Sequence, residues 1–374
     1  MMNFRTIITD SDRATVRLAE FAPEVGAKEY NMVISTRLLG AFDEQVDSLI
    51  RSFEQVREGL GEASVMFGRW LVSDAANQAE MLPEQVGGRR LSVVEQPPLD
   101  GSKVVLWLWL VEGGEVVPSG LRHGDYTHLW TADERGAGSN SDEQSRDILV
   151  RYAEDLEREG CTLADDCIRT WFYVQDVDNN YAGLVRARRE FFEECGLRRD
   201  THYIASTGIE GRNGAVGSLV TMDAYAVRGL REDQIQFLYA LDHLSPTADY
   251  GVTFERGTAV HYGDRKHLFI SGTASIDSKG EVVHVGDVLR QTERMICNIE
   301  VLLSEGGATM ADVQMAIVYL RDMGDYEQVA QLLAERLPEL PYTITLAPVC
   351  RPKWLIEMEC VAAVAATNEK FAEF

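Results

Sequence analysis

One stretch of this chain occurs twice, and a third time in outline. Residues 142–177 (DEQSRDILVRYAEDLEREGCTLADDCIRTWFYVQDV) and 287–323 (DVLRQTERMICNIEVLLSEGGATMADVQMAIVYLRDM) share a pattern of glutamine, amphipathic helix, glycine, Thr-x-x-Asp and hydrophobic strand. Gln144 and Gln291 stand 147 residues apart, as do Thr162 and Thr309. A fainter copy runs from Gln45 to Asp74. Internal repetition restricts architecture before any local signal does. Three copies in 374 residues leave about 125 residues each, the size of one small domain.

The last copy is the easiest to read. Residues 258–261 and 267–275 alternate around the turn 262–266 and predict a β-hairpin. An apolar stripe of Met295, Ile296, Ile299, Leu302 and Leu303 predicts a helix over 288–305, stopped by Gly306 and Gly307. Thr309 and Asp312 form a capping signal. A strand over 314–320, a helix over 325–337 and strands over 342–348 and 354–364 follow. The order ββαβαββ predicts an α+β unit with its helices on one face of the sheet. The middle copy fits the same template, with helices over 144–159 and 181–195 and strands over 127–131, 168–174 and 219–227. In the first copy a strand at 30–36, a helix at 44–58 and strands at 65–72 and 103–111 are visible, but the second helix is degenerate or short. The predicted units are 1–115, 116–232 and 233–374.

The net charge of −24 opposes binding to a polyphosphate backbone, which requires basic patches, so no nucleic acid is expected as a partner. No apolar run reaches the roughly 18 residues of a membrane span, and the first residues show no basic-then-apolar signal pattern. The six cysteines have no CxxC spacing, which fits free thiols in a reducing, cytoplasmic setting. His261 and His267 come nearest to a ligand pair, at a spacing that is weak for a metal; no metal and no cofactor are expected.

The third unit resembles the RidA family, also called YjgF or endoribonuclease L-PSP. The likeness rests on Ile270-Ser-Gly-Thr-Ala-Ser-Ile-Asp277, Gln291 to Asn298, Glu305-Gly-Gly-Ala-Thr-Met-Ala-Asp-Val313, Val318-Tyr-Leu-Arg-Asp-Met323 and Cys350-Arg-Pro-Lys-Trp-Leu-Ile-Glu-Met-Glu359, covering about residues 254–366. The resemblance implies a chorismate mutase-like fold, homotrimers and small-molecule pockets in the clefts between subunits. Three linked units therefore imply a pseudo-trimer within one monomeric chain, since linkage makes assembly intramolecular; assembly of several such chains is not excluded. It also implies hydrolysis of enamines or imines, with a glutamate that positions water and an arginine that binds the substrate carboxylate. Glu357 falls at the glutamate position. Tyr342, beside Thr343, falls where the arginine is expected, and a tyrosine cannot supply a guanidinium fork. A second, weaker resemblance is to the chorismatases, relatives that hydrolyse chorismate. It rests on Tyr250-Gly-Val-Thr-Phe254-Glu-Arg256-Gly-Thr258, on Ser206-Thr207-Gly208-Ile209, and on Cys350 seven residues ahead of Glu357. It implies that Tyr250, Phe254 and Arg256 belong to a pocket wall, with Ser271, Gly272 and Thr273 ending a strand at the same cleft.

The residues can be weighed apart from the resemblance. Glu357 and Glu359 alternate on one face of a predicted strand inside an apolar run. If buried, such carboxyls have raised pKa values, which suits general acid chemistry; otherwise both face solvent. The middle unit has Thr221 and Asp223 at these places, and the first unit has Leu106 in place of Glu357. An acid found in one copy only points to chemistry, and a recurring acid points to structure. Cys350 is either catalytic or a buried inert thiol, and Arg351 either clamps a carboxylate or pairs with a surface acid. Ser206, Thr207 and Gly208 could bind a carboxylate through hydroxyls and backbone N–H groups, or close an ordinary hairpin. The strand Trp171-Phe172-Tyr173 reads as packing. Arg186, Arg188 and Arg189 read as a solvated helix face that could steer anions. The expected function is hydrolytic turnover of a small carboxylate metabolite, of enamine, imine or chorismate type, in an inter-unit cleft. The alternatives are a metabolite-binding regulatory protein and, less in keeping with the charge, an endoribonuclease or translation inhibitor.

Overall fold

In the computed structural model, residues 1–11 and 13–374 are described, Tyr250 by its backbone alone. The first sheet is built from Met2–Thr9 (β1), Ala14–Phe21 (β2), Glu29–Thr36 (β3), Ala63–Val72 (β4), Ser92–Glu95 (β5) and Val104–Glu112 (β6), with helices Phe42–Arg57 (α1) and Ala75–Gln78 (α2). The second contains Glu115–Val117 (β7), Gly120–His123 (β8), Tyr126–Arg135 (β9), Cys167–Val174 (β10), Ala205–Glu210 (β11) and Val220–Arg228 (β12), with Ser141–Arg158 (α3) and Val177–Glu194 (α4). The third contains Ile235–Leu238 (β13), Gly257–His261 (β14), Arg265–Ala274 (β15), Val313–Leu320 (β16), Tyr342–Leu346 (β17) and Ile356–Ala365 (β18), with Val288–Glu305 (α5) and Tyr326–Arg336 (α6).

All three sheets have one strand order: β1-β2-β3-β6-β4-β5, β7-β8-β9-β12-β10-β11 and β13-β14-β15-β18-β16-β17. Each has one parallel pair, β4/β5, β10/β11 and β16/β17, joined across the second helix as a parallel connection requires. The architecture is the predicted α+β fold of three tandem units, with one addition. Each sheet carries an extra leading edge strand, β1, β7 or β13. Two of these are only three or four residues long, too short for a periodic signal. In the first unit the second helix has shrunk to α2, four residues.

The repeated glutamines have a structural role. Gln291 Oε1 accepts from Leu355 N at 2.9 Å, while its Nε2 donates to the carbonyls of Lys353 and His284. Gln144 does the same for Leu219 N, Gly217 O and Gly138 O. Gln45 Oε1 takes Lys103 N at 2.8 Å. Each helix thus fixes the entry to the last strand of its unit, and in the third unit that strand is β18, the one bearing Glu357. The Thr309 N–H and hydroxyl both donate to Asp312 Oδ2, the predicted capping box.

Helices α1 and α3 cover the outer faces of the first two sheets over separate apolar clusters. The inner faces of all three sheets meet in one core that contains Phe67, Trp107, Trp109, Trp171, Tyr225 and Phe269. Three buried ion pairs run through that centre. Arg69 of the first unit binds Asp223 of the second through Nη2 at 3.0 Å and Nε at 3.2 Å. Arg169 of the second binds Glu359 of the third at 2.9 Å. Arg265 of the third binds Glu29 of the first at 3.1 Å, and His267 Nε2 reaches the same oxygen at 2.8 Å. Each unit therefore gives an arginine to the next in a closed cycle. Among the described residues no helix is long and apolar enough to cross a membrane.

Candidate active site between the second and third units

The inward strand β18 and the edge strand β11 bound a cleft of about 490 Å³ of empty space, part of it open to solvent. Glu357 projects from β18 and is 5 % exposed. Burial, and next the Glu359 carboxylate, push its carboxyl up to about 8, against the pull of Arg169 and Arg256. Glu357 is therefore largely a neutral acid at pH 7, able to donate a proton.

The wall opposite comes from the second unit. Ser206, Thr207 and Gly208 lie on β11, held in place from both sides. Ser206 N donates to Ser271 Oγ at 2.9 Å, and Gly272 N donates to Thr207 Oγ1 at 2.9 Å. The Thr207 hydroxyl in turn donates to Glu359 Oε2, which also receives Arg169, while Trp171 Nε1 donates to Glu359 Oε1 at 2.8 Å. Glu359 thus spends its acceptors on ordering the cleft floor. The middle unit's Asp223 has the same kind of role, accepting from Arg69 and from the Tyr173 hydroxyl.

Three guanidinium groups line the pocket: Arg188 from α4, Arg256 ahead of β14, and Arg351 ahead of β18. Arg188 Nη1 donates to Ser206 Oγ at 3.3 Å, and Arg256 Nη2 donates to Ser245 O at 3.0 Å. Both lie over the Phe254 ring, at 5.9 and 5.6 Å from its centre; Arg351 lies 5.3 Å over Trp354. Tyr181, Val252, Ala274, Ile276 and Trp354 give the apolar remainder. Burial, then Glu357, push the Cys350 thiol up to about 12, so it stands in this wall as a protonated group hydrogen-bonded to Tyr181.

The cleft unites Glu357, Cys350, Arg256, Arg351, Ser206, Thr207, Gly208, Phe254 and Gly272. Ser271 and Thr273 stand behind it. Ser271 Oγ donates to Glu255 O, and Thr273 Oγ1 donates to Ser271 O. The Tyr250 side chain lies outside the described residues. Tyr342 and Thr343 are not in this cleft. They lie on β17, where Arg17 of β2 stands 5.0 Å over the Tyr342 ring, at the junction of the third and first units. The position where the arginine was expected therefore lies outside the Glu357 cleft. Arg188 corrects the reading of a solvated basic face: it is 1 % exposed, while Arg186 at the surface pairs with Asp142. Its spacing from Leu184, Ala187 and Phe191, all buried on α4, was the available signal.

Sheet register also fixes the counterparts of Glu357. The first pairs beyond the bulge are Met315↔Val361, Arg169↔Tyr225 and Phe67↔Trp109. Four residues earlier on the last strands stand Glu357, Thr221 and Val105. The first-unit counterpart is thus Val105, one residue away from the expected Leu106.

The sequence profile described as endoribonuclease L-PSP matches residues 257–364. Over 100 residues the chain is 36% identical to the 3-aminoacrylate deaminase RutC of Acinetobacter baylyi, covering 26% of this chain and 79% of that protein. The chain belongs to the endoribonuclease L-PSP family. The chain is also 27% identical over 242 residues to the 3-hydroxybenzoate synthase of Streptomyces hygroscopicus, covering 59% of this chain and 69% of the synthase. A chorismatase crystal structure superposes with a TM-score of 0.62 at 21% identity, covering 80% of this chain and 93% of that one. This likeness establishes that the multi-unit fold is shared.

Proposed function

We propose that this L-PSP family member is a hydrolase of a chorismate-type substrate, a cyclic dicarboxylate carrying an enol ether, and that Glu357 is its general acid. The observation that carries the reading is a buried carboxyl held near 8 inside a pocket lined by three arginines. An enol ether resists hydrolysis until its terminal carbon is protonated, and a neutral carboxylic acid in a dry cleft is suited to that step. Glu357 gives its proton to the methylene carbon, and the positive charge appears on the ether carbon. Water adds there, and the hemiketal collapses to pyruvate and the ring alcohol, returning a proton to Glu357.

The arginines have a matching task. Arg188, Arg256 and Arg351 provide enough positive charge for two carboxylates, which a single-arginine site would not. A dianion bound to them also offsets the pull of Arg256 on Glu357 and keeps it protonated. Thr207 and Gly208 bound the floor of the pocket, and Cys350, protonated, shapes the wall without acting as a nucleophile. The relatives that carry the names chorismatase and 3-hydroxybenzoate synthase support this substrate class.

The identity to an aminoacrylate deaminase favours a second reading. Carbon protonation of an enamine, followed by water addition and loss of ammonia, uses the same acid but only one carboxylate. Incubation with chorismate, following pyruvate release, separates the two. Pyruvate release that Glu357→Gln abolishes supports the proposal. Release at wild-type rate in that variant, or turnover of 2-aminoacrylate with none of chorismate, overturns it.

A further inference from the structure

The cleft between the first and second units contains a relocated acid. The register break between β15 and β18 encloses Ser271 and Gly272, and the equivalent break between β9 and β12 encloses Ala132 and Asp133. Asp133 is thus the counterpart of Gly272. A Cβ added to Gly272 would fall 2.1 Å from Glu357 Oε1, so that position faces the space the Glu357 carboxyl occupies. In the middle unit Thr221 stands in place of the glutamate, and Asp133 on the adjoining strand supplies a carboxyl to the lining of the cleft. The acid has moved from one strand to its neighbour.

The surroundings follow the same correspondence. Asp133 Oδ1 accepts from Val93 N at 2.9 Å and from Ser92 Oγ at 3.5 Å. Ser92 pairs with Arg69, and Thr207 with Trp171, at the same step beyond the bulge, so Ser92 is the first unit's Thr207. Among the described residues every hydrogen bond to this carboxyl goes to Oδ1. Asp133 has φ of +57°, a left-handed conformation that Gly272 does not share and that an aspartate adopts less readily than a glycine would. Burial and Asp223 push its carboxyl up to about 7. The cleft it lines is larger than the first, about 1160 Å³ of open space, with Trp70, Leu91 and Val93 as an apolar wall and Arg90 and Arg135 beside the acid. Glu80 and Glu84 also border it.

We infer that this cleft is a second small-molecule site, for a planar carboxylic acid whose carboxylate meets Arg90 and Arg135 while a ring hydroxyl meets Asp133. It is distinct from the Glu357 pocket and does not depend on what that pocket turns over. Titration calorimetry with 3-hydroxybenzoate, which has both groups on one ring, tests it on the full chain. The variant Asp133→Gly installs the residue found in the other copy at a φ that glycine accepts, so the fold should persist with an unchanged or higher melting temperature. The wild-type isotherm should contain a component that Asp133→Gly weakens at least tenfold, that Arg90→Ala with Arg135→Ala also weakens, and that Arg256→Ala in the other pocket leaves in place. If Asp133→Gly binds 3-hydroxybenzoate like the wild type, or if the wild type has no component sensitive to it, the site is refuted.

Discussion

Gly272 and Glu357 are so close that the smallest side chain on the glycine would meet the carboxylate: a Cβ would lie 2.1 Å from Glu357 Oε1 and 2.9 Å from its carboxyl carbon. The glycine is what lets the acid sit against β15. Gly272→Ala must therefore displace Glu357 or shift the strand. Turnover should fall by about a hundredfold, because a misplacement of about 1 Å can cost this much. The melting temperature should fall as well. Steady-state kinetics on chorismate with a thermal scan checks both.

Glu357→Gln should retain the fold and lose about three orders of magnitude in kcat, the usual scale of general acid catalysis. In the wild type kcat/KM should decline as pH rises through about 8, because the acid form is the active one. The stability consequence has the same sign. A carboxyl whose folded pKa is raised stabilises the native state below its unfolded value near 4.5, and loses that contribution as pH rises through about 8. Urea unfolding of wild type between pH 4.5 and 8 should show that decline, on the order of a few kcal/mol, and the glutamine variant should show a smaller one, the share of Asp133, whose carboxyl is raised to about 7, remaining.

Arg188 is a buried guanidinium that reaches Ser206. Arg188→Lys keeps the charge and loses the fork, so KM for a dicarboxylate should rise about tenfold or more while kcat changes less. A kcat loss with KM unchanged would place Arg188 outside substrate binding.

Glu29 tests the central ion pairs. Burial alone would raise its pKa, but His267 and Arg265 outweigh that and hold it near 2. Its contribution is present above the unfolded carboxylate pKa and is lost as pH falls through about 2. Glu29→Gln should cost roughly 3–5 kcal/mol at neutral pH, the usual result of breaking a buried pair. Chemical denaturation at pH 7 gives the value directly.

Much of this site could be read from residues alone because it is written as an exception to a repeat. Glu357 stood out since its counterpart is Thr221, and Glu359 read as structural since Asp223 recurs; the structure gives those two acids their ion-pair roles. What the chain order hid was which strand faces which cleft. Tyr342 and Thr343 are near Glu357 in sequence, yet β17 turns to the first unit, and β11 of the second unit faces the acid instead. Arg188 was hidden for another reason. A charged residue inside an arginine-rich stretch resembles solvated surface, and only its helical phase with Leu184 and Phe191 marks it as buried. The edge strands β7 and β13 were too short to show an alternation.

The cycle of Arg69 to Asp223, Arg169 to Glu359 and Arg265 to Glu29 bears on how the molecule comes apart. No unit is terminal in that cycle, so none can peel away without stranding charges inside the other two. Melting should be a single event, with calorimetric and van't Hoff enthalpies in agreement. The peptide links between units are then dispensable once folding is complete. A protease nick near residue 230 should leave the pieces associated and the Glu357 pocket intact, because its two walls are joined through Arg169 and Glu359 rather than through the backbone between them.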